Sequence, residues 1–152
     1  MAIDLTGSAS ALLSGIRERT VSSVDLLEAH AHWIESFNPE INAVVATDLD
    51  CAKERAKEAD DAANRGEWWG PLHGLPMTVK DAFEVKGVVS TGGSPKWKEN
   101  VPQKHADAAQ RLVDAGAIIF GKTNVPSLSD DFQTYNEIYG TTNNPWDLSR
   151  TP

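Results

Sequence analysis

The sequence predicts an α/β fold, and two observations support that prediction. Over residues 8–65, apolar residues recur at helical spacing between capping and stop signals. Residues 77–120 then give a short apolar strand, a long loop rich in Gly, Pro, Ser and Thr, a helical stretch and a continuous apolar run. This order is typical of two parallel strands joined through a helix by a right-handed crossover.

Two helices are predicted near the N-terminus. Residues 8–19 carry an apolar stripe, and Ser8 can cap the helix that they form. A second helix begins after Ser22, a suitable N-cap, and its apolar residues again recur at helical spacing. Asn38 and Pro39 are predicted to end it, because the residue before a proline avoids the α-helical region.

A short extended segment over residues 43–47 precedes a third helix. Asp48 caps that helix, which runs to about Arg65, and Gly66 is its natural C-terminal stop. Most of its other side chains are charged, so much of its surface is expected to face water. Its predicted buried stripe consists of small residues, namely Ala52, Ala56, Ala59 and Ala63.

The second half of the chain supplies the strands. A run of turn-forming residues over 68–76 leads into a strand that ends at Lys80. The loop that follows is predicted to hold one short strand at most before a helix over 105–115. Residues 117–120 form a continuous apolar run, as expected of a buried parallel strand. Beyond Gly121 the chain is polar and is predicted to be irregular.

Composition and charge argue against several classes of protein. The formal net charge is −8, which repels phosphate backbones, so nucleic acid is not an expected partner. No apolar run approaches the roughly 20 residues that span a bilayer, and the first residues lack a secretory signal pattern, so no membrane association is expected. The single cysteine, Cys51, excludes an internal disulfide and fits a reducing compartment, which predicts a cytoplasmic location.

Lys80 is the first candidate for chemistry. It ends an apolar strand, and reactive groups gather at the C-terminal ends of strands in open α/β sheets. A lysine there can be partly buried, and burial lowers the pKa of a lysine so that it can act as a base. On position alone, a solvent-facing lysine that pairs with Asp81 is the more common arrangement.

No metal or other cofactor is expected. His30 and His32 are two residues apart on a predicted helix and point to different faces, and the other two histidines fit surface or capping roles. The glycines near Ser94 and Lys122 do not have the spacing of a phosphate-binding loop.

Three stretches, in this order and spacing, resemble the amidase-signature family. They are GPLHGLPMTVKD at residues 70–81, DAGAIIFGKTNVP at 114–126 and YGTTNNPW at 139–146. The resemblance implies a large α/β domain with a mixed sheet flanked by helices. This chain would supply its N-terminal helical region, 1–67, and the start of its α/β core, 68–152.

The chemistry that the resemblance implies is hydrolysis of small-molecule carboxamides through a Ser–cis-Ser–Lys triad, with Lys80 as the lysine. In the family, a Gly- and Ser-rich stretch that supplies the bridging serine follows the segment that resembles residues 144–152, and the nucleophilic serine and the oxyanion donors lie a little further on. The serines are therefore expected from the remainder of the same enzyme, and residues 1–152 alone are expected to be inactive. Homodimers are common in the family, so a homodimer is a possible assembly.

The same resemblance implies a substrate-binding loop. By position, Ser129 and Asp130 would approach the acyl group, with Asp131 and Phe132 close by. From the residues themselves an ordinary loop is an equally good interpretation, because adjacent carboxylates rarely converge on one point.

Two alternatives to a stand-alone amidase remain open. The glutamine-hydrolysing subunit of a tRNA-dependent amidotransferase shares the lysine motif, although an Asp-Glu-Phe-Ala-like run usually stands there in place of residues 125–128, Val-Pro-Ser-Leu. A non-catalytic, truncated chain that acts only in binding or assembly is the other alternative, and the intact surroundings of Lys80 argue against it.

Overall fold

The computed structural model describes residues 3–152. Within this range there are four α-helices: α1 (Ala9–Glu18), α2 (Ser23–Ile41), α3 (Leu49–Asn64) and α4 (Asp107–Asp114). The strands are β1 (Val44–Thr47), β2 (Pro76–Lys80), β3 (Ile118–Thr123), β4 (Tyr135–Asn136) and β5 (Gly140–Thr141). A single 3₁₀ turn spans Pro95–Trp97, and a tight turn whose backbone is not regularly helical spans Ser127–Ser129. None of the helices in the described range is long and apolar enough to cross a membrane. The α/β class is confirmed.

The larger sheet is mixed and has the strand order β1-β3-β2. β1 runs antiparallel to β3, with Val44 opposite Thr123. β2 and β3 run in the same direction, because Ile118 N–H donates to the Leu75 carbonyl and Asp81 N–H donates to the Thr123 carbonyl, both at 2.9 Å. The predicted strand–helix–strand unit is thus present, and the C-terminal ends of β2 and β3 lie together at one edge of the sheet.

The first three helices begin where the capping signals predict. Ser8, Ser22 and Asp48 each accept a hydrogen bond from the backbone N–H three residues further on, at 2.9 to 3.2 Å. Each bond satisfies one of the N–H groups that a helix leaves without a partner at its start.

The predicted end of α2 at Asn38 and Pro39 is wrong, since the helix contains Pro39 and continues to Ile41. The proline removes only its own N–H from the last turn, and Asn42 N–H still donates to the Asn38 carbonyl at 2.7 Å. Asn42 then adopts a left-handed conformation with φ 55°. The side-chain oxygen of Asn38 accepts the next two N–H groups at 2.8 Å each, which stabilises this exit from the helix.

The prediction of irregular structure beyond Gly121 is also wrong in part. β3 continues to Thr123, because these residues pair with β1, and β4 and β5 form a small antiparallel ribbon. The short strand allowed for residues 81–104 is not present in this described segment, where an isolated bridge joins Val85 to Val88.

The chain forms two compact units. Unit 1 comprises the described residues up to Trp33 together with Asp48–Met77 and Arg111–Phe120. Its interior is mainly apolar, with a buried cluster of Ile16, Leu26 and Leu75. The alanine stripe of α3 is buried as predicted, comprising Ala52, Ala56, Ala59 and Ala63, with Ala62 in addition.

Unit 2 comprises Ile34–Thr47, Thr78–Gln110 and Gly121–Pro152. Its interior holds buried valines, but many of its buried side chains are polar or charged. These are Asp81, Ser90, Thr91, Lys122, Asn124, Asn136 and Thr142. The catalytic and substrate-binding residues predicted from the sequence all belong to this unit.

Candidate active site

Lys80 is the last residue of β2, as predicted, and its side chain is exposed to solvent. Alternation along the strand explains the exposure, because the neighbouring residues Val79 and Asp81 are both buried and point to the opposite face. The partial burial that a strand end allows for Lys80 is therefore not found in this structure. The alternative pairing of Lys80 with Asp81 is not found either, since the Asp81 carboxylate binds a different lysine.

That lysine is Lys122, which lies on β3 and is completely buried, with 0% of its surface exposed. Its Nζ lies 2.9 Å from Asp81 Oδ1 and 2.7 Å from Ser90 Oγ. Asp81 is itself only 2% exposed, so the two charges form a fully desolvated ion pair. The parallel pairing of β2 and β3 brings these two residues together.

The turn over residues 90–93 completes the set of partners of Asp81. Thr91 N–H lies 3.2 Å from both carboxylate oxygens, and Thr91 Oγ1 donates to Oδ2 at 2.6 Å. Thr91 Oγ1 in turn accepts a hydrogen bond from Gly93 N–H at 3.0 Å. Ser90 Oγ accepts from Val85 N–H at 3.2 Å as well as from Lys122. The carboxylate therefore organises the turn as well as neutralising the lysine.

Burial lowers the pKa of the Lys122 ammonium, and the hydrogen bond and charge of Asp81 oppose that change. Breaking such a buried pair by removing one partner typically destabilises a protein by about 3–5 kcal/mol, because the remaining charge is left in a dry environment. Lys122 and Asp81 thus depend on each other.

The loop that the family resemblance assigns to the substrate has an unusual backbone. Leu128 and Ser129 both adopt left-handed conformations, with φ 55° and 60°. For residues other than glycine, each such conformation costs on the order of 1–3 kcal/mol, and it persists only where surrounding contacts hold it. Two hydrogen bonds do so here at 2.8 Å each, from Leu128 N–H to the Gly92 carbonyl and from Ser129 N–H to the Pro126 carbonyl.

A cavity of about 330 Å³ lies beside this loop within unit 2. Of the four predicted substrate residues, Asp130 and Asp131 line it. Ser129 is exposed and Phe132 is 99% exposed, and neither is among its lining residues. The structure thus brings only half of the predicted set to the cavity. The complete lining is Gly93, Pro95, Pro126, Ser127, Leu128, Asp130, Asp131, Tyr135, Asn136 and Glu137.

Asp131 is held in place by its neighbours. Its carboxylate accepts Gln133 N–H at 3.1 Å and the Tyr135 hydroxyl at 3.1 Å. These hydrogen bonds, with the backbone one first, lower the pKa of Asp131, and the bond to Asp131 raises the pKa of Tyr135. Together with Asp130 and Glu137, Asp131 gives the cavity an acidic wall.

His73 is buried, contrary to the predicted surface or capping role. Its Nδ1 accepts Trp69 N–H at 3.0 Å, and its Nε2 lies 3.0 Å from the Ala59 carbonyl oxygen. This arrangement requires a neutral ring with its proton on Nε2, and burial lowers the pKa of His73 accordingly. Among residues 3–152 there is no group of three or more His, Cys, Asp or Glu side chains arranged for a metal ion.

Lys122 was not predicted as a functional candidate from the sequence. A usable signal was present, because Asp81 and Lys122 each lie at or just after the end of a predicted strand. The C-terminal ends of parallel strands meet at one edge, so a charged residue from each was placed to form a pair.

Comparisons with known proteins address the family. A family model described as Amidase matches residues 25–152. A glutamyl-tRNA(Gln) amidotransferase chain from Acidothermus cellulolyticus is 37% identical over 141 residues, which cover 93% of this chain and 28% of that protein. The chain therefore spans little more than a quarter of the length of this curated relative.

Solved structures give the same result for the fold. A bacterial aryl acylamidase of the amidase-signature family superimposes with a TM-score of 0.89 at 28% identity, over 95% of this chain and 30% of the other. A fatty acid amide hydrolase superimposes with a TM-score of 0.86 at 28% identity, over 93% and 25% respectively.

Proposed function

Because the chain belongs to the amidase-signature family, we propose that it supplies Lys80 to a Ser–cis-Ser–Lys triad that hydrolyses linear carboxamides. The observation that supports this most is the place of Lys80. It ends β2 at an exposed position, and the next residue, Asp81, is fixed by a buried ion pair. The lysine is thus accessible to other groups while the backbone that carries it is rigid.

The reaction follows from the chemistry of the three groups. The uncharged amine of Lys80 accepts a proton from the bridging serine, which takes one from the nucleophilic serine. The nucleophile Oγ forms a bond to the amide carbon, the C–N bond breaks, and ammonia or an amine leaves with a proton. Water then hydrolyses the acyl-enzyme, and backbone N–H groups near the nucleophile stabilise the oxyanion, typically by a few kcal/mol.

The two serines would come from the remainder of the same enzyme, since residues 1–152 contain no Gly-Gly-Ser-Ser stretch. When that part covers Lys80, it removes water from the amine and favours the uncharged form that the mechanism needs. We expect residues 1–152 on their own to hydrolyse no amide. A homodimer and a cytoplasmic location remain predictions of the same proposal.

We propose that the loop containing Ser129, Asp130, Asp131 and Phe132 contacts the acyl part of a small-molecule amide. Support comes from the strained backbone at Leu128 and Ser129, because such strain clusters at ligand-binding sites. The cavity beside the loop, which Asp130 and Asp131 line, adds to that support.

A glutamine-hydrolysing subunit of a tRNA-dependent amidotransferase is the second candidate. The curated relatives favour it, since several carry the name of a glutamyl-tRNA(Gln) amidotransferase. Residues 125–128, Val-Pro-Ser-Leu, favour a stand-alone amidase instead. A third candidate, a non-catalytic chain for binding or assembly, predicts no activity with any amide.

One experiment separates these candidates. The full-length protein is assayed for ammonia or amine release from aliphatic amides, aryl amides and glutamine, beside Lys80→Ala and the surface control Lys104→Ala. We expect hydrolysis of simple amides, a loss of about 10³-fold or more in kcat for Lys80→Ala, in line with other covalent triads, and no change for Lys104→Ala. Glutamine as the preferred substrate, with co-purifying partner proteins, would establish the second candidate. Full activity of Lys80→Ala would exclude the triad assignment.

A further inference from the structure

We propose that Lys122 is a positioning residue, which sets the geometry between Lys80 and the loop over residues 127–130 by fixing Asp81 and the turn 90–93. This inference rests on the proposed function, because it concerns the lysine and the loop assigned there. It identifies a residue that acts on the reaction through others, since Lys122 is fully buried and has no access to a substrate.

The interior around Lys122 is polar where an apolar interior would be at least as stable. A buried ion pair adds little stability, and well-packed apolar residues of similar volume often serve as well or better. Lys122 and Asp81 nevertheless lie in the interior with two hydroxyl groups, from Ser90 and Thr91, bonded to them. Directional bonds of this kind fix positions more sharply than apolar contacts do, so geometry is the property that they provide.

The first connection runs from Lys122 to Lys80. The ammonium binds the carboxylate of Asp81, and Asp81 is the residue directly after Lys80. The backbone N–H of Asp81 also donates to the Thr123 carbonyl at 2.9 Å, next to Lys122. Both the side chain and the backbone of Asp81 are thus tied to β3, and this fixes the end of the strand that carries Lys80.

The second connection runs from Asp81 to the substrate loop. Thr91 is bound to the carboxylate, and Gly92 N–H donates to the Asp81 carbonyl at 3.2 Å. The Gly92 carbonyl then accepts Leu128 N–H at 2.8 Å, at the first of the two left-handed residues. Only one residue, Gly92, therefore separates the backbone of Asp81 from the strained loop.

Gly93 shows how closely the turn and the loop approach. It has φ 69°, and a Cβ added there would lie 3.1 Å from the carbonyl oxygens of both Val125 and Pro126. Glycine therefore lets the turn lie closer to the backbone that leads into the loop than a residue with a side chain could. Because β3 itself leads from Lys122 into residues 124–126, bonds run in a closed ring from Lys122 through Asp81, the turn and the loop back to β3.

Removal of the Lys122 ammonium opens this ring at its most buried point. The Asp81 carboxylate then lacks its counter-charge, and the turn that it organises has to shift or admit water. A misplacement of about 1 Å in a catalytic geometry can cost on the order of 10²-fold in rate, so the expected effect is large enough to measure.

The test uses the ratio of kcat/KM for two primary amides that differ only in the size of the acyl group. A lower folded fraction reduces both values equally and cancels in the ratio, so a merely structural defect leaves the ratio unchanged. The variants, made in the full-length enzyme, are Lys122→Met and, in case the unpaired carboxylate prevents folding, Asp81→Asn with Lys122→Met. Lys104→Met, at an exposed position in the same unit, is the matched control.

We expect the ratio of the two kcat/KM values to differ from that of wild type by about tenfold in Lys122→Met and in the double variant. In the control the ratio should stay within about twofold of wild type. Hydrogen exchange supplies a readout that needs no activity: the Leu128 amide should exchange faster in both variants, while the amides of α3 keep their wild-type protection. If wild type hydrolyses no amide, the proposed function fails, and exchange at Leu128 decides the positioning role. Unchanged exchange at Leu128, or a ratio equal to that of wild type, overturns the role of Lys122 even in an active enzyme.

Discussion

The two compact units have interiors of different chemical character. In unit 1 the buried side chains are mainly apolar, with Leu26 completely buried and a face of five alanines on α3. In unit 2 a lysine, an aspartate, two asparagines and several hydroxyl residues occupy the interior. Both units contain helical and strand segments, so the contrast does not follow from secondary structure.

The apolar interior accounts for stability in this chain, and the polar interior accounts for the fixed positions of particular atoms. Apolar burial is non-directional and roughly proportional to the area removed from water, so it stabilises a fold without specifying the exact position of any one atom. Hydrogen bonds and ion pairs are directional and costly to leave unmade, so they fix atoms while adding little net stability. All the residues proposed for catalysis and substrate binding belong to the polar unit.

The largest expected effect on stability concerns the ion pair of unit 2. Asp81→Ala leaves the Lys122 ammonium buried without its counter-charge, and we expect the full-length protein to lose about 3–5 kcal/mol of unfolding free energy. Chemical denaturation measures this loss. The double variant Asp81→Asn with Lys122→Met should lose clearly less than the single variant, because no charge is left unpaired. An equal or larger loss in the double variant would mean that the pair is a net source of stability.

The second prediction addresses the apolar interior of unit 1. Leu26→Ala should cost about 2–5 kcal/mol, because the removed atoms leave a cavity in a close-packed cluster. The control Leu148→Ala removes the same atoms from a side chain that is 47% exposed, and it should cost much less. Denaturant titrations measure both losses of unfolding free energy, provided that the dependence of that free energy on denaturant concentration is the same in the variants as in wild type. Similar losses at the two positions would contradict the assignment of the unit 1 core.

A third, smaller effect tests the local signals in unit 1. Ser22→Ala removes the acceptor for Asp25 N–H at the start of α2 and should cost about 1 kcal/mol. Ser14→Ala, at an exposed position inside α1, is the control and should change stability by less than about 0.5 kcal/mol. Thermal melts of wild type and the two variants measure both effects. A Ser22→Ala variant as stable as wild type would contradict the assignment of Ser22 as the N-cap of α2.

The smallest effect is a pH dependence from His73. Burial holds its pKa below the ordinary value of about 6.5, so the unfolded chain binds more protons than the folded chain as the pH falls below that value. The stability that wild type gains over His73→Gln should therefore be fully present at pH 7 and should shrink toward pH 5, by at most about 1.4 kcal/mol per pH unit. If the stability difference between wild type and His73→Gln stays constant from pH 7 to 5, His73 has the same pKa in the folded and the unfolded chain.

Local features of the fold could be predicted from the sequence. Helix starts at Ser8, Ser22 and Asp48 depend on a side chain and a backbone N–H three residues apart, so a short window contains the whole interaction. The end of α2 could not be predicted in the same way. The proline rule is a steric tendency, and the helix continues past it because the side-chain oxygen of Asn38 accepts hydrogen bonds from the two N–H groups that follow Asn42.

In the candidate site, only part of the relevant geometry could be predicted. The place of Lys80 at the end of β2 was predicted; of the four predicted substrate residues, Asp130 and Asp131 line the cavity, and Ser129 and Phe132 do not. The left-handed backbone at Leu128 and Ser129 was not predicted, because neither residue type favours it and it depends on contacts such as that with the Gly92 carbonyl.

The α/β class, the capped helices and the family resemblance can be read from the sequence alone, since they depend on periodicity, short windows and motif order. Which lysine is buried depends on the tertiary structure. Lys122 and Asp81 lie 41 residues apart, and their contact depends on the parallel pairing of β2 with β3. Such a pairing is set by the whole sheet, because a shift of one residue in a strand reverses which side chains face inward.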